Sequence, residues 1–156
     1  MGLWECLIGS GPAQGKEASR LLPELLASYR EEARLARQIR NHAEHAPNQA
    51  GTQLLQAVAE EQDQLVQLLR DKIIALGGEA VNDAGPSKGG KNHWTRVVHD
   101  IEENRVLERR YLEQATYWDP DFPDTTALFR TLEREKGRLN ALLHDIALRA
   151  DPHALD

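Results

Sequence analysis

The chain has 156 residues, of which 19 are Lys or Arg and 25 are Asp or Glu, so its net charge is -6. This length suits one domain, and an apolar share of 40% is enough for a core. The mild acidity argues against nucleic acid or an anionic membrane as the main target, because both attract a concentrated basic surface. A single cysteine, Cys6, excludes an intramolecular disulfide and a thiolate metal cluster. No apolar run approaches a membrane span, so we expect a soluble, cytoplasmic protein.

Helix-favouring residues dominate the composition, whereas Gly, Pro and aromatic residues are sparse. We therefore expect an all-α fold. Residues 1–20 show no apolar periodicity and predict a flexible N-terminal arm. The apolar stretch from Leu3 to Ile8 within it offers a segment that could dock on a second subunit or on another protein.

Apolar residues then recur at three- and four-residue steps, which predicts helices. The first predicted helix begins near Leu22, has Pro23 in its first turn and ends before Pro47. The second runs from about residue 51 to residue 76 and stops at the glycine pair 77–78.

Two more helices follow a glycine-rich connection. The third begins after Asn92, a favourable N-cap, and ends at Trp118 before the Asp119-Pro120 break. The fourth opens near Asp124 and ends near Asp151.

The connection over residues 77–91 is long enough to cross the whole bundle. Fifteen extended residues reach about 50 Å, whereas a helix of about 25 residues is about 40 Å long. This predicts two antiparallel helical hairpins joined by a long crossover. The bundle is expected over residues 21–152, followed by a short tail over 153–156.

Each predicted helix carries polar residues at mid-length, where its apolar stripe calls for an apolar side chain. A buried carboxylate is costly unless it is paired, protonated or bound to metal, so polar groups at one depth need a shared explanation. Dinuclear carboxylate bundles supply one, since they use a Glu from each of two helices and a Glu-x-x-His from each of the others. The positions concerned are Glu32, Glu61, Gln64, Asn104, Glu135 and Arg138.

Residues 22–152 resemble the ferritin-like superfamily, which includes bacterioferritins and rubrerythrins. Glu32, followed ten residues later by His42-Ala43, looks like the first helix of that family. The segment 59–64 (Ala-Glu-Glu-Gln-Asp-Gln) looks like its Glu-x-x-His motif. The resemblance implies a ferritin-like four-helix bundle.

The second half of the chain carries the matching motifs. Asp100-Ile101 followed by Asn104 resembles the family's Asp-Leu-x-x-Glu. Residues 132–135 (Leu-Glu-Arg-Glu) followed by Arg138 resemble the second Glu-x-x-His.

The departures from the family pattern point to a degenerate metal site. Gln64 and Arg138 stand where the resemblance implies His, and Asn104 stands where it implies Glu. Amides are weak ligands for iron or manganese, and a guanidinium is no ligand. An inward Arg138 would instead bind carboxylates, with Gln64 and Asn104 as amide donors. The carboxylates that remain as candidate remnants of a metal site are Glu32, Glu61 and Glu135.

Interpretations without a functional site stay open for several of these residues. An error in the assigned helical register would leave the polar residues on the surface. His42 and His45 have a spacing that could hold a metal, but their place at a helix end beside Pro47 favours solvated side chains. Tyr29 and Tyr111 are expected in the core with satisfied hydroxyl groups.

The sequence thus favours a ferritin-like protein with a decayed dinuclear site and no cofactor. We expect it to be non-catalytic and to act by binding or scaffolding, as a homodimer or with an unidentified protein partner. The alternative is an iron- or manganese-dependent oxidase or peroxide-reducing protein. In that case the three remnant carboxylates hold a metal with help from Glu102, Glu103 or Glu108.

Overall fold

The structure, a computed structural model, describes residues 12–81, 83 and 85–153. The predicted docking segment from Leu3 to Ile8, with Cys6, lies outside the described residues. All regular secondary structure in the described part is helical. The four helices are α1 (Pro12–Glu44), α2 (Gln49–Ala75), α3 (His93–Trp118) and α4 (Pro123–Arg149).

The four helices form two hairpins, since α1 packs along α2 and α3 packs along α4. The hairpins meet through α1 against α3 and α2 against α4. Residue pairs fix the directions: Gln38 contacts Asp100, whereas Glu32 contacts Tyr111, so α1 and α3 are antiparallel. Helices α2 and α3 therefore run parallel, and the predicted long crossover is confirmed.

The crossover between α2 and α3 runs along α1. It leaves α2 at Gly77, whose φ of 81° requires the left-handed conformation that glycine adopts without strain. Asp83 then pairs with Arg30 at 2.8 Å. Further along, the backbone N–H of Lys88 donates to Oε1 of Gln38 at 2.7 Å. The crossover thus covers the seam between the hairpins near the C-terminal half of α1.

Helix α1 begins earlier than the sequence predicts. It starts at Pro12, so the second half of the predicted arm is helical and Pro23 lies inside the helix rather than in its first turn. Contacts with α2 of the same hairpin and with α4 of the other hairpin hold this early part in place. Oε1 of Glu17 accepts hydrogen bonds from Lys72 Nζ at 3.2 Å and from Thr125 Oγ1 at 2.5 Å. These contacts tie the first turns of α1 to α2 and α4.

Asn92 caps α3 through its side chain, as the sequence predicts, and a proline opens α4. Helix α2 starts at Gln49, two residues before the predicted start, with Asn48 as its side-chain cap. None of the described helices is long and apolar enough to cross a bilayer. Inward-facing apolar side chains from all four helices form one core, which includes Leu25, Leu35, Ile39, Leu55, Leu69, Ile73, Tyr111, Phe129, Leu132 and Leu139.

Candidate functional site

A group of polar side chains interrupts the core at mid-length of the bundle. In α2 the inward row passes through Val58, Gln62 and Leu65, and in α4 a row of the same spacing includes Lys136. We call the five polar side chains at this level the central cluster, and each has 0% exposure: Glu32, Gln62, Asn104, Tyr111 and Lys136.

An ion pair forms the middle of the central cluster. Nζ of Lys136 lies 2.8 Å from Oε2 of Glu32 and donates to Oε1 of Gln62 at 3.0 Å. The amide nitrogen of Gln62 donates to the same carboxylate oxygen of Glu32. Tyr111 donates its hydroxyl proton to Oε1 of Glu32 at 2.6 Å. Both oxygens of the buried carboxylate are therefore bonded, by groups from α2, α3 and α4.

Asn104 completes the cluster on the α3 side. Its Nδ2 donates to the backbone carbonyl of Lys136 at 3.0 Å, which links α3 to α4 at the level of the ion pair. Its Oδ1 is buried without a hydrogen-bond partner among the described residues. The side-chain amide of Asn104 therefore hydrogen-bonds to α4 and does not reach Glu32.

Burial shifts the pKa values of the cluster away from their usual values. Desolvation lowers the pKa of Lys136, and the charge of Glu32 opposes that shift. Desolvation raises the pKa of Tyr111 well above its usual value, and the charge of Glu32 adds to the rise. At neutral pH the Tyr111 hydroxyl is therefore a hydrogen-bond donor and not a base.

Three of the residues singled out in the sequence lie together on the surface between α2 and α4. Arg138 is 50% exposed, bonds Glu135 through Nε at 2.9 Å and also bonds Glu61. These hydrogen bonds raise the pKa of Arg138. The structure therefore does not bring Glu61 and Glu135 together with the buried Glu32.

The inward orientation predicted for Gln64 and Arg138 needs correction, because Gln64 is exposed and Arg138 is half exposed. Between Val58 and Leu65 both i+3 and i+4 are compatible with one face, and the prediction followed i+3, which is position 61. The residue that actually points inward is i+4, position 62, and the same shift in α4 leads to Lys136.

A longer window contains the signal that separates the two registers. The row through Gln62 continues to Leu69 and Ile73, which are buried. The row through Glu61 continues to Leu68 and Lys72, which are partly exposed. Lys136 was overlooked because lysine is almost never fully buried unless it is paired.

A second polar cluster lies between α1 and α3 beneath the crossover. His42 is 1% exposed, so the prediction of a solvated histidine is wrong. Its Nδ1 lies 2.7 Å from Oδ2 of Asp100, and its Nε2 lies 2.9 Å from the backbone carbonyl of Lys88. His45 by contrast is exposed, lies just beyond the end of α1 and bonds the carbonyl of Asn41 in its last turn. The two histidines therefore point apart and do not form a metal site together.

Further contacts bind this second cluster to the crossover. Nε2 of Gln38 donates to Oδ1 of Asp100 at 2.8 Å. Glu103 pairs with Arg34 at 3.1 Å and with Lys88 Nζ at 2.6 Å. Burial raises the pKa of Asp100, with its hydrogen bonds opposing the shift. At Glu103 burial also acts to raise the pKa, but hydrogen bonds from Lys88 and Arg34 outweigh it, so the pKa is lowered.

The arrangement of the helices is found in two solved structures. A dodecameric thioferritin, the bacterioferritin-related protein from Bacteroides fragilis, superposes with a TM-score of 0.74 at 22% identity. The match covers 84% of this chain and 86% of that chain. Dps from Thermosynechococcus elongatus gives a TM-score of 0.65 at 14% identity, over 88% of this chain and 98% of that chain. No protein-family description matches the sequence, and no curated protein sequence matches it significantly. The chain has the ferritin-like fold.

The central cluster does not fit the dinuclear metal centre that ferritin-like carboxylate bundles carry. It contains one carboxylate, Glu32, and an ammonium nitrogen stands 2.8 Å from it. A metal ion at this carboxylate would face the positive charge of Lys136 at close range. Among the described residues no group of three or more His, Cys, Asp or Glu side chains is placed to hold a metal ion.

Proposed function

We propose that this chain is a ferritin-like protein in which a buried ion pair stands in place of the dinuclear metal centre. It is non-catalytic and acts by binding or scaffolding as a homo-oligomer in the cytoplasm. The observation that carries the proposal is the contact of 2.8 Å between Lys136 Nζ and Glu32 Oε2, both with 0% side-chain exposure.

The ligand positions of the fold can be assigned with the corrected register. The two helices that carry Glu-x-x-His in dinuclear bundles would be α2 and α4. Their inward i, i+3 pairs here are Gln62 with Leu65 and Lys136 with Leu139. The remaining two positions are Glu32 and Asn104. Only Glu32 retains a side chain that binds iron or manganese well.

The ammonium group of Lys136 supplies part of what a metal ion supplies in such a bundle. It neutralises the buried carboxylate of Glu32 and donates a hydrogen bond to it at 2.8 Å. Together with Gln62 and Tyr111 it joins all four helices through one carboxylate. The cluster therefore supports a structural role for the bundle centre.

Assembly from several copies has support from the fold comparison. The thioferritin from Bacteroides fragilis is described as dodecameric. We extend homo-oligomerisation to this chain. The homodimer expected from the sequence is the smallest assembly that satisfies this proposal.

Metal analysis of the wild-type protein tests the proposal. The purified chain is treated with a chelator, incubated with anaerobic Fe(II) or with Mn(II), desalted and analysed for bound metal. We expect no stoichiometric metal. The matched positive control restores the ligand set by Gln62→Glu, Leu65→His, Asn104→Glu, Lys136→Glu and Leu139→His, and should gain about two ions per chain.

Two results would contradict the proposal. About two metal ions on the wild-type chain would show that a dinuclear site exists in spite of Lys136. Rapid consumption of oxygen or peroxide by the Fe(II)-treated wild type would support the oxidase or peroxide-reducing alternative instead.

A further inference from the structure

One long side of the bundle is not covered by any described residue. The crossover lies against α1 and the α1–α3 seam, whereas the seam between α2 and α4 stays open. Three leucines on this seam are exposed by 37–39%: Leu54, Leu68 and Leu142. We call this surface the α2–α4 face and define it by residues 54–68 of α2 and 128–142 of α4.

The sequence pattern of the α2–α4 face is the same read from either end. On α2, Leu54, Glu61 and Leu68 follow one another at steps of seven residues. On α4 the same order, Leu, Glu, Leu, occurs at positions 128, 135 and 142 with the same step. Seven residues are two helical turns, or about 10.5 Å along the axis. Because α2 and α4 are antiparallel, each end of the face presents leucine and the middle presents charge.

The shape of the face repeats this symmetry. A cavity of about 280 Å³ lies at one end, beside Leu54, Val58 and Leu142. A cavity of about 260 Å³ lies towards the other end, beside Leu68 and Thr131. Each end therefore combines an exposed leucine with a recess, and the second recess is also lined by the charged side chains of the middle of the face.

In the middle of the α2–α4 face, Arg138 has more N–H donors than its hydrogen bonds within the chain use. A guanidinium carries five N–H donors, and Arg138 uses two of its nitrogens on Glu61 and Glu135. Arg138 is 50% exposed, and the two carboxylates are about 30% exposed, at 31% and 29%. A surface with the same three residues could therefore exchange Arg-to-Glu hydrogen bonds with this one.

We propose that a second copy of this chain docks on the α2–α4 face about a twofold axis near Glu61 and Arg138. A twofold contact requires that residue i meets residue j and that residue j meets residue i, which the leucine, charge, leucine pattern satisfies. The leucine end of one copy, with Leu54 and Leu142, then packs into the Leu68 end of the other. In this contact the half-exposed guanidinium of one copy can meet the partly exposed carboxylates of the other. This surface rests on the homo-oligomer of the proposed function and specifies its contact.

Sedimentation of the full-length chain tests the surface. The double variant Leu54→Glu, Leu142→Glu places two carboxylates at one apolar end of the face, and we expect self-association to weaken at least about tenfold. The matched control places the same change on α3, by Val106→Glu and Leu112→Glu, where the side chains are 57% and 52% exposed. Its assembly should equal that of the wild type. Circular dichroism checks that both variants keep their helices.

Charge exchange provides a second measurement that does not touch the leucines. Arg138→Glu makes the centre of the face acidic, whereas Glu61→Arg with Glu135→Arg makes it basic. Each variant should self-associate less than the wild type, and a mixture of the two should form mixed assemblies in native mass spectrometry. Arg138 is half exposed and the two glutamates are partly exposed on the surface of the bundle, so folding should be maintained.

A monomeric wild type would overturn the proposal, as would an assembly that the leucine variant leaves as intact as the control does. A charge-exchanged mixture without preference for mixed species would do the same. Metal content separates this inference from the proposed function. If the wild type assembles and binds stoichiometric metal, the proposed replacement of the metal centre is wrong but the docking surface is not contradicted. If the wild type is a metal-free monomer, only the homo-oligomer and its surface are contradicted.

Discussion

At the scale of single residues, the cost of burial is concentrated in Glu32 and Lys136. Each charge has lost its water, and the attraction between them offsets that loss only because Gln62 and Tyr111 bond the remaining oxygen positions. A buried pair of this kind need not stabilise the fold more than apolar residues would. Its members nevertheless depend strongly on each other, because either charge left alone is uncompensated.

Removing the ammonium group of Lys136 alone should therefore destabilise the fold strongly. We expect Lys136→Met to lower the free energy of unfolding by about 3–5 kcal/mol, because it leaves Glu32 buried and charged without its partner. Adding Glu32→Gln should recover much of that loss, since the amide can still accept the proton of Tyr111. Urea unfolding followed by circular dichroism measures all three chains.

Arg138→Met is the control for that experiment, on the same helix. Arg138 is 50% exposed and its ion pairs are in contact with water, so its loss should cost less than about 1 kcal/mol. An equal cost for the two substitutions would show that the Glu32–Lys136 pair is not the buried centre of the bundle.

The phenol of Tyr111 gives the fold a pH dependence in the alkaline range. Its pKa is raised well above 10.0 by burial and by the charge of Glu32, so the native chain keeps a proton that the unfolded chain loses. The stabilisation is complete below about pH 10 and is lost as the pH rises further. We expect the free energy of unfolding to fall more between about pH 9 and about pH 11 in the wild type than in Tyr111→Phe.

Lys136 acts in the opposite direction, because its lowered pKa makes the unfolded chain bind more protons below 10.5. That contribution is present in both chains, so the difference between their pH profiles reports Tyr111. If the free energy of unfolding fell equally with pH in the wild type and in Tyr111→Phe, the phenol of Tyr111 would not be buried beside Glu32 as the structure describes.

At the scale of helices, local end signals made the starts of α3 and α4 predictable but left the start of α1 out of reach. Asn92 and Pro123 mark the starts of α3 and α4 because capping and N-terminal proline act within one turn. The start of α1 at Pro12 has no such signal, and Pro23 points to the wrong place. There Glu17 contacts Lys72 of α2 and Thr125 of α4, and no local sequence pattern contains such distant contacts.

The level of the candidate site along the bundle was predictable from the sequence, but the residue of α2 and of α4 that points inward at that level was not. Glu32 and Asn104 were expected at the level where they lie, because a polar residue in an apolar stripe is visible in the sequence. Gln62 and Lys136 were missed because one residue of register decides which of two polar neighbours points inward. The burial of His42 was missed for another reason, since the crossover that covers it comes from residues far along the chain.

The crossover should depend on a side chain of α1 for its position. Gln38 bonds the N–H of Lys88 at 2.7 Å and Asp100 at 2.8 Å, so Gln38→Ala leaves both groups without these bonds. We expect a loss of about 1–3 kcal/mol and faster hydrogen exchange in the crossover than in the wild type. Arg40→Ala, which removes an exposed pair with Asp63, should leave that exchange unchanged. Equal protection in Gln38→Ala and wild type would show that the crossover is held by other contacts.

The two asparagine caps should differ in their contribution. The side chain of Asn48 accepts one hydrogen bond, from the N–H of Gly51 at 2.8 Å. Asn92 caps α3 through Thr95 and also donates to the carbonyl of Pro152 at 3.0 Å, which ties the start of α3 to the end of α4. Asn48→Ala should cost about 1 kcal/mol, and Asn92→Ala about 1 kcal/mol more. Thermal unfolding compares the two, and equal shifts would contradict the added role of Asn92.

At the scale of the whole molecule, the central cluster joins the two hairpins into one cooperative unit. Glu32 and Gln62 belong to the first hairpin, whereas Tyr111 and Lys136 belong to the second. Neither hairpin can satisfy its buried polar groups alone, and each would expose the apolar rows that face the other. The bundle is therefore expected to fold and unfold as one unit, although most contacts of each helix lie within its own hairpin.

Dividing the chain within the crossover tests this coupling. Fragments 1–85 and 86–156 keep each hairpin intact and separate Glu32 from Lys136. We expect each fragment alone to show no cooperative thermal transition, because the first would bury an unpaired carboxylate and the second an unpaired ammonium.

An equimolar mixture of the two fragments should regain helicity and melt cooperatively by circular dichroism. The same mixture with Lys136→Met in the second fragment should associate more weakly, whereas Arg138→Met should not. A cooperative melt from either fragment by itself would place the stability within the hairpins rather than in the polar contact between them.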